Sequence, residues 1–245
     1  MAQKKTLAEL IAKSGAWLDE GRSGTLREAK RNRPASTLLA SHFRAFERIK
    51  KRLFKGSLSI SDLDPVEACI VEALQGCDLV LQTEEGILRA HTPQARRFIT
   101  GGWLEEVACL AALEAGADEV RYGQSVRWRI DGYEGENEID VIARFDQRLA
   151  FYSCKAFGAG YQRSNDRRRK KLMEALHEAD NLADHFGSQN SFVGLILTTD
   201  LYDNYNRKPK YEALFGKARA LNVQLITLDD MKWGRLIKAM ALAKE

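Results

Sequence analysis

The order of apolar segments after residue 95 constrains the fold of this chain more than any other feature. A helical pattern over about 101–115 ends at Gly116, and three strand-like runs follow without an intervening helix. Consecutive strands favour an antiparallel meander, and strands separated by a helix favour a parallel crossover. We therefore predict an α/β domain with a mixed central sheet flanked by helices. The strands of the meander are 119–129, 137–144 and 148–154, and the later segments are 165–186 (helix), 192–198 (strand), 209–220 (helix), 223–228 (strand) and 229–243 (helix).

The first 94 residues have a different, mostly helical pattern. Gly21 to Ser36 contains Pro34 and is interpreted as a connection. Two short apolar runs near residues 80 and 88 predict a hairpin, and helices followed by a hairpin resemble a winged helix-turn-helix. We therefore predict two domains, residues 1–94 and residues 95–245. The predicted N-terminal helices cover 6–20, 36–54 and 65–75.

Positive charge is concentrated near the N-terminus. Residues 1–60 contain 14 lysines and arginines but five aspartates and glutamates, whereas the whole chain has a net charge of +4. Arg44, Arg48 and Lys51 share one face of the predicted helix 36–54. This face is either a nucleic-acid-binding surface or a solvated basic surface.

Several classes of protein are disfavoured. The longest apolar runs, such as 192–197, are too short to span a bilayer, and the N-terminus lacks the apolar region of a signal peptide. The cysteines have no CxxC spacing and lie in core-like segments, so we predict buried, reduced thiols and no zinc site. These features favour a cytoplasmic protein that does not bind membranes. The four cysteines are Cys69, Cys77, Cys109 and Cys154.

Two charged residues are associated with the apolar strands of the meander. Asp140 interrupts the strand 137–144, and Lys155 follows the strand 148–154. Charges on adjacent buried strands cost free energy unless they serve each other or a ligand. A tight turn at 145–147 would place both residues on one side of the sheet. The pair is therefore either a structural ion pair or part of a catalytic site.

Phosphodiester hydrolysis would use these residue types. A hard divalent cation, Mg²⁺ or Mn²⁺, takes oxygen ligands and activates water, so Asp140 is a candidate ligand. Lys155 would orient the attacking water and stabilise charge on the phosphate. A second carboxylate from the preceding helix, Glu105 or Glu106, would complete the metal site, but helix phase does not separate the two. Either residue is also expected to complement the helix dipole.

Three sequence blocks resemble the signature of the PD-(D/E)xK (restriction-endonuclease-like) nuclease superfamily. They are Gly101-Gly-Trp-Leu-Glu-Glu106, Asn137-Glu-Ile-Asp-Val141 and Ser153-Cys-Lys155. The resemblance covers about residues 95–230 and is strongest to the C-terminal nuclease domain of CRISPR-associated ancillary nucleases that carry a cyclic-oligoadenylate-sensing CARF domain. It implies a metal-dependent endonuclease of DNA or RNA, in phage defence, acting as a homodimer. By the same resemblance Glu106, Asp140 and Lys155 are the catalytic residues.

The sequence departs from this family pattern at two places. Ser153 occupies a position that is commonly Glu or Asp, which removes one metal-binding carboxylate. Glu138 is expected on the same sheet face as Asp140 and is the candidate replacement, as is Glu136. The residues before the core show no βα alternation typical of a CARF domain, so the resemblance does not extend to regulation by a cyclic oligoadenylate.

A basic cluster opens the helix predicted at 165–186. Cations at a helix N-terminus interact unfavourably with the helix dipole, so their presence favours a role in ligand binding. The alternative is a basic helix face that is only solvated. We interpret the cluster as a nucleic-acid contact close to the active site. The alternative function for the whole chain is a catalytically lapsed or partner-dependent nucleic-acid-binding protein. The candidate contact residues in the cluster are Arg163, Arg167, Lys170 and Lys171.

Overall fold

The computed structural model describes residues 5–162, 164–188 and 190–245, without the side chains of Ile130 and Ala183. Helices and strands occupy most of the described chain. The helices are α1 (Leu7–Ile11), α2 (Leu26–Ser41), α3 (Phe43–Lys55), α4 (Pro65–Gly76), α5 (Pro93–Arg97), α6 (Trp103–Glu114), α7 (Asp166–Phe186), α8 (Glu212–Ala220) and α9 (Trp233–Ala241). The strands are β1 (Ala16–Leu18), β2 (Leu81–Gln82), β3 (Leu88–Arg89), β4 (Glu119–Ile130), β5 (Tyr133–Phe145), β6 (Arg148–Lys155), β7 (Phe192–Leu197), β8 (Tyr202–Asp203), β9 (Lys208–Pro209) and β10 (Val223–Ile226).

The central sheet has six strands in the order β1-β4-β5-β6-β7-β10. Strands β4, β5 and β6 form the predicted antiparallel meander, and β6, β7 and β10 are parallel. The β4–β5 turn contains Asp131 and Gly132, both with positive φ (50° and 81°), as a tight hairpin turn requires. The predicted α/β class with a mixed sheet and flanking helices is confirmed.

The predicted helix over 6–20 is wrong in its second half. Helix α1 ends at Ile11, and after a short turn Gly15 adopts a left-handed conformation with φ 76°. The chain then extends as β1, in which Trp17 pairs with Arg127 of β4. The apolar side chains of this segment therefore complete an edge of the central sheet.

The interpretation of Gly21 to Ser36 as a connection is also wrong from residue 26 onwards. Thr25 accepts a hydrogen bond from the backbone N–H of Glu28 and so caps α2, which continues through Pro34 to Ser41. The single helix predicted at 36–54 is divided at His42, where the backbone leaves helical geometry. The predicted helix at 65–75 and the hairpin that follows are present as α4 and β2–β3.

The N-terminal helices pack directly on the sheet-bearing part of the chain. Phe43 stacks on the buried Trp103 with ring centroids 5.7 Å apart, and Phe46 meets the same ring edge-on at 6.0 Å. One continuous apolar cluster extends from Ala29 of α2 to Ala243 near the C-terminus. The expected boundary at residues 94–95 is therefore not a break in packing.

The described residues include no helix that is both long and apolar enough to cross a membrane. All four cysteines are free, and Cys77 and Cys109 are buried as expected. Cys69 is exposed, because it lies on the outward face of α4, and this corrects the expectation that every cysteine is in the core.

We predict that Phe46→Ala lowers the free energy of unfolding by about 3–5 kcal/mol, because a fully buried aromatic ring is removed. Phe54→Ala, on the half-exposed end of the same helix, should change it by about 0.5 kcal/mol or less. Urea unfolding followed by far-UV circular dichroism measures both. A single transition that shifts as a whole is expected, and a separate early transition in Phe46→Ala would show that the N-terminal helices fold independently.

Candidate active site

Three carboxylates converge beside strand β5, in the middle of the central sheet. Glu138 and Asp140 are two residues apart on β5 and therefore project from the same face, and Glu105 comes from the first turn of α6. One oxygen from each of the three lies within 4.8 Å of the others. This spacing and donor type suit a hard divalent cation. Glu138, the predicted replacement for the missing acid at position 153, lies in this group, and its role as a ligand stays a prediction.

Asp140 is held by the neighbouring strand. Its Oδ2 accepts a hydrogen bond from the backbone N–H of Cys154 at 2.6 Å and another from Ser153 Oγ at 3.3 Å. Burial raises the pKa of Asp140 above its ordinary value, although these hydrogen bonds and the charge of Lys155 act in the opposite direction. Ser153 therefore orients the aspartate and does not add a further carboxylate to the group.

Lys155 lies at the end of β6 and lines the same cleft, of about 440 Å³, as Asp140 and Glu138. Its Nζ donates to Glu178 Oε2 of α7 at 2.8 Å. Burial opposes the charge of Lys155, but the bond to Glu178 and the charge of Asp140 outweigh it and keep its pKa above the ordinary value. The ammonium is therefore charged and held over the cleft.

Glu105 is mostly buried, with 17% of its side chain accessible, and Glu138 is far more exposed. Burial raises its pKa to about 7, the charge of Asp140 acts in the same direction, and Arg97 acts against both. Arg97 Nη2 lies 3.9 Å from Glu105 Oε2 and 3.8 Å from Glu138 Oε1. Glu105 therefore loses its proton less readily than an exposed glutamate does.

Glu106, the helix acid that the family resemblance favours, does not join this group. Its buried carboxylate accepts hydrogen bonds from Asn32 Nδ2 at 3.1 and 3.3 Å, and Asn32 belongs to α2. Burial raises the pKa of Glu106 to about 7, and the Asn32 hydrogen bond partly opposes this. The structure therefore brings Glu105 to the acidic group and turns Glu106 towards the N-terminal helices.

The basic residues on one face of α3 form ion pairs with acidic residues of the same chain. Arg44 contacts Asp200, and Arg48 forms ion pairs with Asp64 Oδ2 at 2.8 Å and Glu67 Oε1 at 2.9 Å. Lys51 Nζ lies 3.5 Å from Glu47 Oε1 on the same helix. These partners supply a structural reason for the charges, and contact with nucleic acid stays a prediction.

The basic cluster of α7 faces solvent. Arg167 and Lys171 are exposed, and both line a surface depression beside Ala156, the residue after Lys155. Lys170 is exposed on an adjacent face, 3.8 Å from Glu174. Arg163, predicted with them, lies outside the described residues. Arg167 and Lys171 share a helix face with Glu178, because the spacings are four and seven residues.

Some residues that contact the site in the structure were indicated by the sequence, and others were not. Glu105 was named beside Glu106, but nearly every residue of α6 is buried, so an apolar stripe does not define its inward face. Arg97, Asn32 and Glu178 belong to elements other than the three signature blocks. Their contacts join residues 8 to 74 positions apart in the sequence, and no local pattern indicates them.

The pH dependence of stability should report Glu106. Its pKa of about 7 in the folded protein exceeds the ordinary 4.5, so the stability gained by protonation is present below pH 4.5 and lost as pH rises through 7. We expect Glu106→Gln in the metal-free protein to lose less stability than the wild type between pH 5 and 8, measured by urea unfolding. Glu114→Gln, at the exposed end of the same helix, is the control and should follow the wild type. Equal slopes for all three proteins would contradict the raised pKa.

Comparisons with known proteins bear on the fold and on the domain that carries these residues. Residues 92–199 match the family model described as Card1-like, endonuclease domain. No curated protein matches the chain. Among solved structures, protein VC1899 from Vibrio cholerae superposes with a TM-score of 0.68 at 16% identity, covering 98% of this chain and 62% of that protein. Can2 from Sulfobacillus thermosulfidooxidans, solved in complex with cyclic tetra-adenylate, has a TM-score of 0.59 at 15% identity, covering 96% of this chain and 61% of Can2.

This chain therefore spans about three fifths of the length of either solved protein. The two structures establish the fold, with its mixed sheet and flanking helices, and the family model places the three signature blocks in one recognised domain. Residues 92–199 thus match the Card1-like endonuclease domain, of the PD-(D/E)xK type, within a chain that has the fold of these two proteins.

Proposed function

We propose that the chain is a metal-dependent endonuclease that hydrolyses phosphodiester bonds of DNA or RNA, in defence against phage. The observation that carries the proposal is the acidic group of Glu105, Glu138 and Asp140, of which the two strand acids share a cleft with Lys155. The match to an endonuclease domain over residues 92–199 supports it independently. The proposal concerns this chain, which is shorter than the two solved proteins.

The donor set fits Mg²⁺ or Mn²⁺. All three side chains offer carboxylate oxygens, the ligands that hard divalent cations prefer, and Glu105 Oε2 is buried without a hydrogen bond from any described residue. We assign Asp140, Glu105 and Glu138 as the ligands, with Glu105 in place of Glu106. When bound, the cation lowers the pKa of water and neutralises charge on the phosphate.

The remaining residues position and stabilise. The Cys154 N–H fixes the orientation of Asp140, and Ser153 reinforces it. Lys155, charged and held by Glu178, can contact a phosphate oxygen and stabilise the additional negative charge of the transition state. Its charged state disfavours Lys155 as the group that removes a proton from water.

Nucleic acid would approach along α7. Arg167 and Lys171 share a helix face with Glu178 and lie next to the strand end that carries Lys155, so a phosphate backbone bound there would pass over the cleft. Lys170 and Arg163 belong to the same cluster. We propose a structural role for Arg44, Arg48 and Lys51, because each is paired with an acidic side chain. The salt dependence of Arg44→Ala, Arg48→Ala tests the prediction that they contact nucleic acid instead.

A second candidate function is a nucleic-acid-binding protein that does not cut, or that cuts with a partner. Two observations favour it. Ser153 adds no carboxylate to the site, and Lys155 already forms an ion pair with Glu178. Dimerisation stays a prediction. Cleavage of labelled single- and double-stranded DNA and RNA with Mg²⁺, Mn²⁺ or EDTA separates the two functions, since binding without cutting supports the second.

We predict that Lys155→Ala lowers the cleavage rate by about 10²–10³-fold, because a charge aimed at the phosphate is removed. Asp140→Asn should lower it by at least about 10²-fold. Single-turnover cleavage at saturating Mn²⁺ measures both rates. A normal rate in either variant would contradict the assigned roles, provided that the melting temperature shows an intact fold.

The neighbouring glutamates form a matched pair for metal binding. Glu105→Gln is expected to weaken Mn²⁺ binding by about 10-fold or more, because a ligand is lost. Glu106→Gln removes a carboxylate that faces Asn32 and should leave the Mn²⁺ affinity near that of the wild type. Isothermal titration calorimetry on the metal-free proteins measures both affinities, and the opposite order would return the ligand role to Glu106.

Substrate binding should depend on α7. The double variant Arg167→Ala, Lys171→Ala is expected to reduce the slope of log affinity against log salt by about two, one for each phosphate contact. Arg44→Ala, Arg48→Ala removes the same charge from α3 and should leave the slope unchanged. Fluorescence anisotropy with a labelled oligonucleotide and Ca²⁺ measures the slopes, and equal losses in both variants would favour a non-specific charge effect.

A further inference from the structure

We propose that Arg97 has two positions at this site: it is the counter-ion of the acidic group when no metal is bound, and a phosphate-binding residue when metal is bound. The inference rests on the proposed nuclease function. It adds a residue that lies outside the three signature blocks and outside the acidic group itself.

The position of Arg97 makes it a bridge between the two elements that carry the acids. It is the last residue of α5, and its guanidinium lies 3.9 Å from Glu105 of α6 and 3.8 Å from Glu138 of β5. Both separations exceed hydrogen-bond length, so the attraction is mainly between charges. A cation held in this way is readily displaced.

The backbone leaves space for the guanidinium. Gly123 of β4 has φ +51°, a left-handed conformation that favours glycine. A Cβ at this residue would lie 3.0 Å from Arg97 Nη2 and 3.3 Å from Glu105 Oε2. A side chain at 123 would therefore crowd the contact between Arg97 and Glu105, and glycine keeps that contact open.

Exposure shows which group can move. The Arg97 side chain is 63% accessible, whereas that of Glu105 is 17% accessible and its Oε2 is buried without a hydrogen bond from the described residues. Glu105 is thus fixed by packing, and Arg97 reaches it from the solvent side. The flexible arginine can withdraw while the carboxylate stays in place.

The balance of charge gives the direction of the movement. Three carboxylates lie close together in the metal-free site, and the guanidinium approaches only two of them, Glu105 and Glu138, so the group favours further positive charge. A divalent cation supplies it, and the attraction that holds Arg97 then weakens. The bound phosphodiester brings a new negative charge to the solvent side, and a guanidinium binds phosphate oxygens in a bidentate manner. Lys155 has its own phosphate contact at the end of β6, and Arg97 adds a second contact from α5.

The test uses Arg97→Ala and Arg97→Lys, with Arg96→Ala as the control. Arg96 is exposed on the same short helix, and no ion pair is recorded for it among the described residues. Mn²⁺ affinity is measured by calorimetry on the metal-free proteins, and the cleavage rate is measured at saturating Mn²⁺. Melting temperatures establish that each variant is folded.

We expect Arg97→Ala to bind Mn²⁺ about 2- to 10-fold more tightly, because the loss of weak, exposed ion pairs removes a competitor. Its cleavage rate should nevertheless fall by about 10-fold or more, since one phosphate contact is lost. Arg97→Lys should keep wild-type Mn²⁺ affinity and part of the rate, and Arg96→Ala should match the wild type in both measurements.

Two results would overturn the inference: unchanged or weaker Mn²⁺ binding by folded Arg97→Ala, or a wild-type cleavage rate in that variant. These outcomes differ from failure of the proposed function. If the wild type cuts no substrate but Arg97→Ala binds Mn²⁺ more tightly, the counter-ion role stands and the nuclease and phosphate-binding roles fail. If the wild type cuts and Arg97→Ala equals it in both measurements, the nuclease stands without Arg97.

Discussion

The hydrogen bond from the Cys154 backbone N–H to Asp140 connects the fold to the chemistry. It exists because the antiparallel strands β5 and β6 pair in a register that sets Val141 opposite Tyr152. In this register Asp140, just before Val141, lies beside Cys154, two residues after Tyr152. A shift of one residue would turn Asp140 and Lys155 to opposite faces of the sheet. The tight turns on both sides of β5 therefore determine the positions of the reactive groups.

The acidic group has an energetic cost that the rest of the fold must offset. Burial raises the pKa of both Asp140 and Glu105, so their charged forms are less stable in the metal-free protein than in water. The aromatic contacts of Phe43 and Phe46 with Trp103 secure the start of α6, the helix that carries Glu105. Apolar packing on one side of this helix thus supports charge on the other.

The sequence predicted the parts of the molecule that depend on local periodicity. Apolar periodicity defined β4 to β7 and α7. The pairing of β5 with β6 then placed Asp140, Glu138 and Lys155 around one cleft. Helix α6 is buried almost all round, so periodicity did not distinguish Glu105 from Glu106. The turn at Gly15 and the continuation of α2 through Pro34 depend on tertiary contacts that outweigh local preference. Arg97 and Glu178 act through contacts distant in sequence, which a single sequence does not reveal.

The pairing of β1 with β4 has a consequence for the order of folding. Trp17 is opposite Arg127, so this strand has no partner until more than a hundred further residues have left the ribosome. The hairpins β4–β5 and β5–β6 join neighbouring segments and close with a much smaller loss of chain entropy. The meander that carries Asp140 is therefore expected to assemble first, and the N-terminal strand to close the sheet afterwards.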